Sequence, residues 1–224
     1  MSGDGARPGR ELAGLDHLVL GAASLESGGI AFERRAGVRL PPGGAHPRMG
    51  THNRLTRLGD DGAFLELIAI DPAAPAPARP RWFGLDEPDT AERVAEGFAL
   101  LTWVVAVADL DAALDRARAA GVDAGRAIEQ ERGELRWRIA LPEDGSRVEG
   151  GVFPALIEWP PGTAAASRIA DLGLRLRTLR LTHPEPERLE GALAAVGAAA
   201  LADVAPGPRA IAATLSLRGR EIDL

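Results

Sequence analysis

The chain has 224 residues, a formal net charge of −6 and no cysteine or tyrosine; lysine is missing too, so all 26 basic residues are arginine. Disulfides, thiolate chemistry, iron–sulfur clusters, lysine Schiff bases and phenolic acids are therefore excluded, and the acidic balance argues against nucleic acid as a partner. Chemistry is left to four histidines (His17, His46, His52 and His183), 32 acidic residues, the arginines, Ser/Thr and water.

Hydrophobic residues make up 46% and charged residues 26% of the chain, as in ordinary globular domains. Residues 1–14 are polar and glycine-rich, with no apolar stretch typical of a leader, and are expected to fray. No apolar run reaches the ~18 residues that span a bilayer. A cytoplasmic protein without a membrane partner is expected.

In chain order, residues 15–20 (LDHLVL) read as a buried strand. A helix over 26–35 follows, stopped by Gly37. Residues 38–40 read as a small strand and 41–50 (PPGGAHPRMG) as a loop. Strands follow at 52–58 and at 64–70 (FLELIAI), separated by a glycine turn. Together, 15–72 form one βαβββ unit. Residues 73–99 link it to the next, with a proline-rich stretch that begins at Asp71 and a helix over 89–98. The order then recurs over 100–160: a strand at 102–107, a helix at 109–120 closed by Gly121, an alternating strand at 135–141 (LRWRIAL) and a last strand at 155–159 (ALIEW). A partial βαββ unit over 175–224 ends the chain, with a strand at 179–182, a helix at 186–196 and strands at 210–217 and 221–224. It is expected to extend the same sheet.

The repeated unit opening on L-D-H-L-V-L resembles the vicinal oxygen chelate superfamily. The run GGAHPRMGTHNRLTRLGDDGAFLELIAIDP (Gly43 to Pro72) looks like its glyoxalase-like domain family. The resemblance implies an α+β fold in which paired βαβββ units form a half-open, barrel-like cleft. It also implies a divalent metal held by a histidine or glutamine on the first strand and a glutamate on the last strand of each unit. Carried over by position, the ligands are His17, Glu66 and Glu158. The fourth position falls on Thr102, or on Trp103 if the alignment slips by one, and there the sequence departs from the pattern. One imidazole and two carboxylates suit Mn, Fe, Ni, Mg or Zn; the alternative is a cleft with no metal.

Each candidate has a plainer reading beside it. His17 shares a strand phase with Leu15 and Val19, so it is either a cleft residue or a buried histidine bonded to backbone. Glu66 shares its phase with Phe64, Ile68 and Ile70, and a carboxylate on such an apolar face needs a partner. Catalysis is assigned to Glu66 and His52. His46 and Asn53, in and beside the HPxMGTxN loop, are candidate substrate contacts, as are Arg136 and Arg138, which otherwise form a solvated strand face. Two functions follow. One is a metal-dependent lyase, isomerase or dioxygenase acting on a small oxygenated metabolite, by proton abstraction next to a carbonyl or by oxygen chemistry. The other is a metal-free sequestering protein of the bleomycin-resistance type. A small-molecule ligand and a homodimer are the expected partners.

Overall fold

The computed structural model describes residues 13–163 and 165–224, and the frayed segment expected over 1–14 falls almost wholly outside them. The first unit runs β1 (Gly14–Ala22), α1 (Leu25–Ala36), β2 (Ala45–His46), β3 (Thr51–Arg57) and β4 (Phe64–Ile70). Helix α1 starts where the Ser24 side chain accepts the Ser27 N–H and ends at Gly37, whose left-handed φ of 75° no β-carbon opposes. The strand beside β3 is Ala45–His46 rather than 38–40, which is irregular. The Pro/Gly loop itself supplies the pairing, Ala45 opposite His52 and His46 opposite Thr51.

A short helix α2 (Pro88–Arg93) precedes the second unit. It is shorter than the expected 89–98, because Pro88 fixes its first turn and the chain is already extended at Phe98. The unit then runs β5 (Phe98–Ala106), α3 (Leu110–Ala119), β6 (Arg126–Arg132), β7 (Leu135–Leu141) and β8 (Ala155–Glu158). Strand β6, RAIEQER, was not expected, since charge masks its alternation. It forms a hairpin with β7 across Gly133, which holds a φ of 59°.

All eight strands form one sheet in the order β2-β3-β4-β1-β5-β8-β7-β6. β1 and β5 pair antiparallel at its centre, and each pairs in parallel with the last strand of its own unit. The two units are thus related by an approximate two-fold. The sheet curls until its outer strands approach, with Arg48 beside β2 standing 3.5 Å from Glu131 of β6. The result is a nearly closed α+β barrel of the kind the resemblance implies.

The C-terminal segment differs from expectation in one respect. It has β9 (Leu174–His183), α4 (Pro186–Ala195), β10 (Asp203–Pro206), β11 (Ala210–Leu217) and β12 (Arg220–Asp223), and forms a second sheet in the order β10-β9-β11-β12. The extra strand β10 pairs in parallel with β9, so this segment adds a layer rather than extending the first sheet. Leu181, Leu189 and Leu193 bury against the same apolar cluster as Leu18, Leu20 and Leu110. A separate cluster lines the concave side of the barrel, with Val19, Ile68, Val104 and Ile157 at its base. Among the described residues no helix is long and apolar enough to cross a membrane.

Candidate active site

The site begins with an irregularity at the start of β1. Leu15 pairs with Val105 and His17 with Val104, so β1 carries one residue more than β5 there. Such a bulge breaks the two-residue alternation. Leu15 therefore packs with the helix-side core instead of sharing a face with His17 and Val19, and His17 lines the cleft. The extra residue, Asp16, turns its side chain along the same wall. One carboxylate oxygen lies 2.6 Å from His17 Nδ1, and the other accepts the Trp159 indole N–H at 2.7 Å.

On the facing strands, Glu66 of β4 lies opposite Leu55 of β3, and Asn53 opposite Ile68. All four side chains share the concave face. Asn53 Nδ2 donates to Glu66 Oε1 at 2.6 Å, while its Oδ1 accepts the Gly44 N–H at 2.9 Å. Gly43 permits that approach, because a β-carbon there would stand 2.2 Å from the Asn53 carbonyl oxygen. His46 lies beside this pair, its Nδ1 3.2 Å from Thr51 Oγ1. Glu66 Oε2 comes within 3.5 Å of His17 Nε2. Asp16, His17, Glu66 and Asn53 thus form one line of polar contacts across the barrel floor, each at most 9% exposed.

Aromatic rings enclose this line. His17 stacks on Phe64 with centroids 4.6 Å apart and meets Phe83 edge-on at 6.4 Å. Trp82 stacks on Phe83, and Trp137 lies 5.3 Å from Trp159. Trp82 and Phe83 belong to the segment between the units, read from sequence only as a linker. That segment folds over the cleft, and Phe83 takes a left-handed φ of 59° in doing so. The cavity at the floor of the cleft is small, about 50 Å³, and opens to solvent at its mouth.

Burial in this pocket acts against every charge, yet two charges persist. His17 has its pKa raised from 6.5 to about 9: burial alone would lower it, and the hydrogen bonds and charges of Asp16 and Glu66 outweigh burial. Glu66 is held at about 2, because its contacts with His17, aided by Asn53, overcome the desolvation that would raise it. His46 goes the other way, down to about 4, chiefly through burial. At neutral pH the pocket therefore holds an imidazolium–carboxylate pair beside a neutral imidazole.

A family model described as "Glyoxalase-like domain" matches residues 15–197. The chain belongs to the glyoxalase-like domain family. Among solved structures it is similar to a hypothetical protein from Staphylococcus aureus, with 14% identity, a TM-score of 0.53, and 95% of this chain and 84% of that one covered. It is also similar to methylmalonyl-CoA epimerase from Mycobacterium tuberculosis, with 23% identity, a TM-score of 0.42 and coverages of 71% and 97%. No curated protein matches it.

Of the ligands that family membership implies, the glyoxalase-like barrel brings His17 and Glu66 together and leaves Glu158 out. Glu158 Oε2 accepts the Leu110 N–H at 2.7 Å, at the start of α3, and pairs with Arg138 at 3.3 Å. The fourth position fails as well, since Thr102 donates its hydroxyl proton to the Gly151 carbonyl at 3.1 Å. Among the described residues, no three His, Asp or Glu side chains are grouped to hold a metal. The residues present do not fit the implied four-ligand centre.

The other expected residues divide in the same way. His46 and Asn53 line the pocket; His52, Arg136 and Arg138 do not. His52 alternates with Asn53 and faces away from the cleft, and Arg138 grips both oxygens of Asp111 at 2.8 and 2.9 Å. Arg136 and Arg138 are out of phase with Trp137 and Ile139, the β7 residues that do face inward. Asp16, Trp82, Phe83, Trp159 and Arg132 were missed. The WF pair within a proline-rich linker was the one signal that could have found two of them.

Proposed function

We propose that this protein is an acid–base enzyme that moves a proton next to the carbonyl group of a small, largely apolar substrate. The observation that carries the reading is the His17–Glu66 pair, both at most 6% exposed, at the floor of an aromatic cleft. Buried charges without a structural role are costly, and a carboxylate and an imidazolium facing one pocket suit proton transfer.

The step needs no group that the pocket lacks. The Glu66 carboxylate takes the proton from the carbon beside the carbonyl. The electron pair released by that C–H bond forms a carbon–carbon double bond, and the carbonyl π electrons move onto oxygen. His17 Nε2–H donates to that oxygen and leaves an enol; reversal returns a proton from Glu66 to the carbon. Asp16 keeps Nδ1 protonated and the ring oriented, while Asn53 fixes the Glu66 rotamer. The aromatic walls exclude water, which strengthens both interactions. No step is assigned to a metal, because Glu158 and Thr102 are committed elsewhere.

The test is hydrogen exchange in deuterium oxide, followed by proton NMR on a panel of aryl and alkyl 2-oxo compounds. The wild type should speed exchange on at least one, and Glu66→Gln should lose ~10²-fold or more of that acceleration. Undiminished exchange in Glu66→Gln would sink the assignment. The metal-free sequestering alternative predicts tight binding with no exchange.

A further inference from the structure

Resting on the acid–base reading of the same cleft, we infer that the substrate is a flat aromatic monocarboxylate, its ring held among the tryptophans and its carboxylate on Arg132. Three observations converge on this ligand. The first is the wall: Phe64, Phe83, Trp82, Trp137 and Trp159 all line one space. Aromatic walls bury a planar apolar body well and gain from ring–ring geometry.

The second is Arg132. It is the one arginine that lines the pocket, and among the described residues its side chain forms no ion pair or hydrogen bond. It stands at the seam where β6 meets the β2 side of the barrel. Its Nη1 would come within 3.1 Å of a β-carbon at Gly44, the residue whose N–H bonds Asn53. Its charge is felt at His46, where it opposes protonation. A half-buried guanidinium at the rim of an apolar pocket, without a carboxylate of its own, can bind one from the ligand through two N–H donors.

The third is a spare donor. Trp82 is 3% exposed, its ring lines the pocket, and its buried indole N–H has no acceptor among the described residues. Buried donors are rarely left unpaired, and an oxygen of the ligand would satisfy this one. Charge balance favours an anion as well. Asp16 and Glu66 are already matched to His17 and Asn53, so a cationic ligand would find no free carboxylate, whereas an anionic one finds a free guanidinium.

The experiment titrates the full chain with phenylacetate, 2-phenylethanol, propionate and phenyltrimethylammonium, by calorimetry and by tryptophan fluorescence. Three of the four tryptophans line the cleft, so occupancy should change the emission. Phenylacetate is expected to bind at least tenfold more tightly than the other three. Arg132→Gln should erase that advantage, Arg132→Lys should restore part of it, and Trp82→Phe should weaken phenylacetate several-fold. Unchanged affinity in both Arg132→Gln and Trp82→Phe overturns the inference. So does tighter binding of the quaternary ammonium, or no binding of phenylacetate.

The two readings can fail separately. Phenylacetate binding through Arg132 without exchange in any 2-oxo compound leaves this ligand class standing and removes the acid–base reading. Exchange on an aryl 2-oxo acid at an unchanged rate and KM in Arg132→Gln does the reverse. Melting curves of each variant separate loss of binding from loss of fold.

Discussion

Replacing Glu66 with glutamine removes one charge from the barrel floor and almost nothing else. The amide is close in size to the carboxyl, and its oxygen can keep the 2.6 Å bond from Asn53 Nδ2. What is lost is the anion facing His17. Glu66 is held at about 2 against an ordinary value of 4.5, so the native environment favours its charged form by roughly 3 kcal/mol at neutral pH. A similar figure, ~3–5 kcal/mol, is typical when one partner of a buried pair is removed.

Because the folded pKa lies below the unfolded one, this stability is fully present above pH 4.5 and disappears as pH falls towards 2. Denaturant unfolding should therefore show the variant weaker by roughly 3 kcal/mol at pH 7 and the gap shrinking at pH 3. His17 should respond in parallel, its pKa falling from about 9 towards 6.5. With only four histidines in the chain, imidazole proton NMR resolves that titration directly. A variant as stable as the wild type at pH 7, with His17 still titrating near 9, would refute the argument that the pair is coupled and buried.

Four other outcomes are expected. His17 has a folded pKa above its unfolded one, so the stability it contributes is complete below pH 6.5 and lost as pH rises through about 9; alkaline unfolding of His17→Gln should lack that loss. His46 is buried neutral, with its pKa down at about 4, so burying it costs nothing above pH 6.5 and increasingly more as pH falls from there to 4; His46→Gln should flatten the stability curve over that window. Glu158→Ala removes a cap from α3 and one partner of Arg138, and should cost about 1 kcal/mol in denaturant unfolding with no change in ligand affinity, since Glu158 lies outside the cleft. Gly151→Ala places a β-carbon 2.1 Å from the Leu101 carbonyl oxygen at a φ of 101°, and should lower the melting temperature by several degrees or prevent folding.

The sequence by itself determined the local elements and their repetition. FLELIAI is a strand because its residues suit a buried pleat; α1 and α3 begin and end where Ser24, Gly37, Asp109 and Gly121 supply caps; and the unit recurs, the paired barrel itself being what the family resemblance implied. It also singled out Glu66, since a carboxylate on an apolar strand face has to be matched by something, while His17 stood out through the family resemblance. Which groups match them was decided only by tertiary structure. The bulge at Asp16 depends on pairing with β5 and shifts the phase on which strand alternation was read, so a carboxylate absent from the sequence argument became the first partner of His17. Glu158 sits on the corresponding strand of the second unit, but the start of α3 and Arg138 take its carboxylate, and proximity across 48 residues cannot be seen in spacing. Trp82 and Phe83 follow the same logic: they stand among prolines in sequence, yet the barrel leaves an apolar floor that only a segment folding back over it can cover.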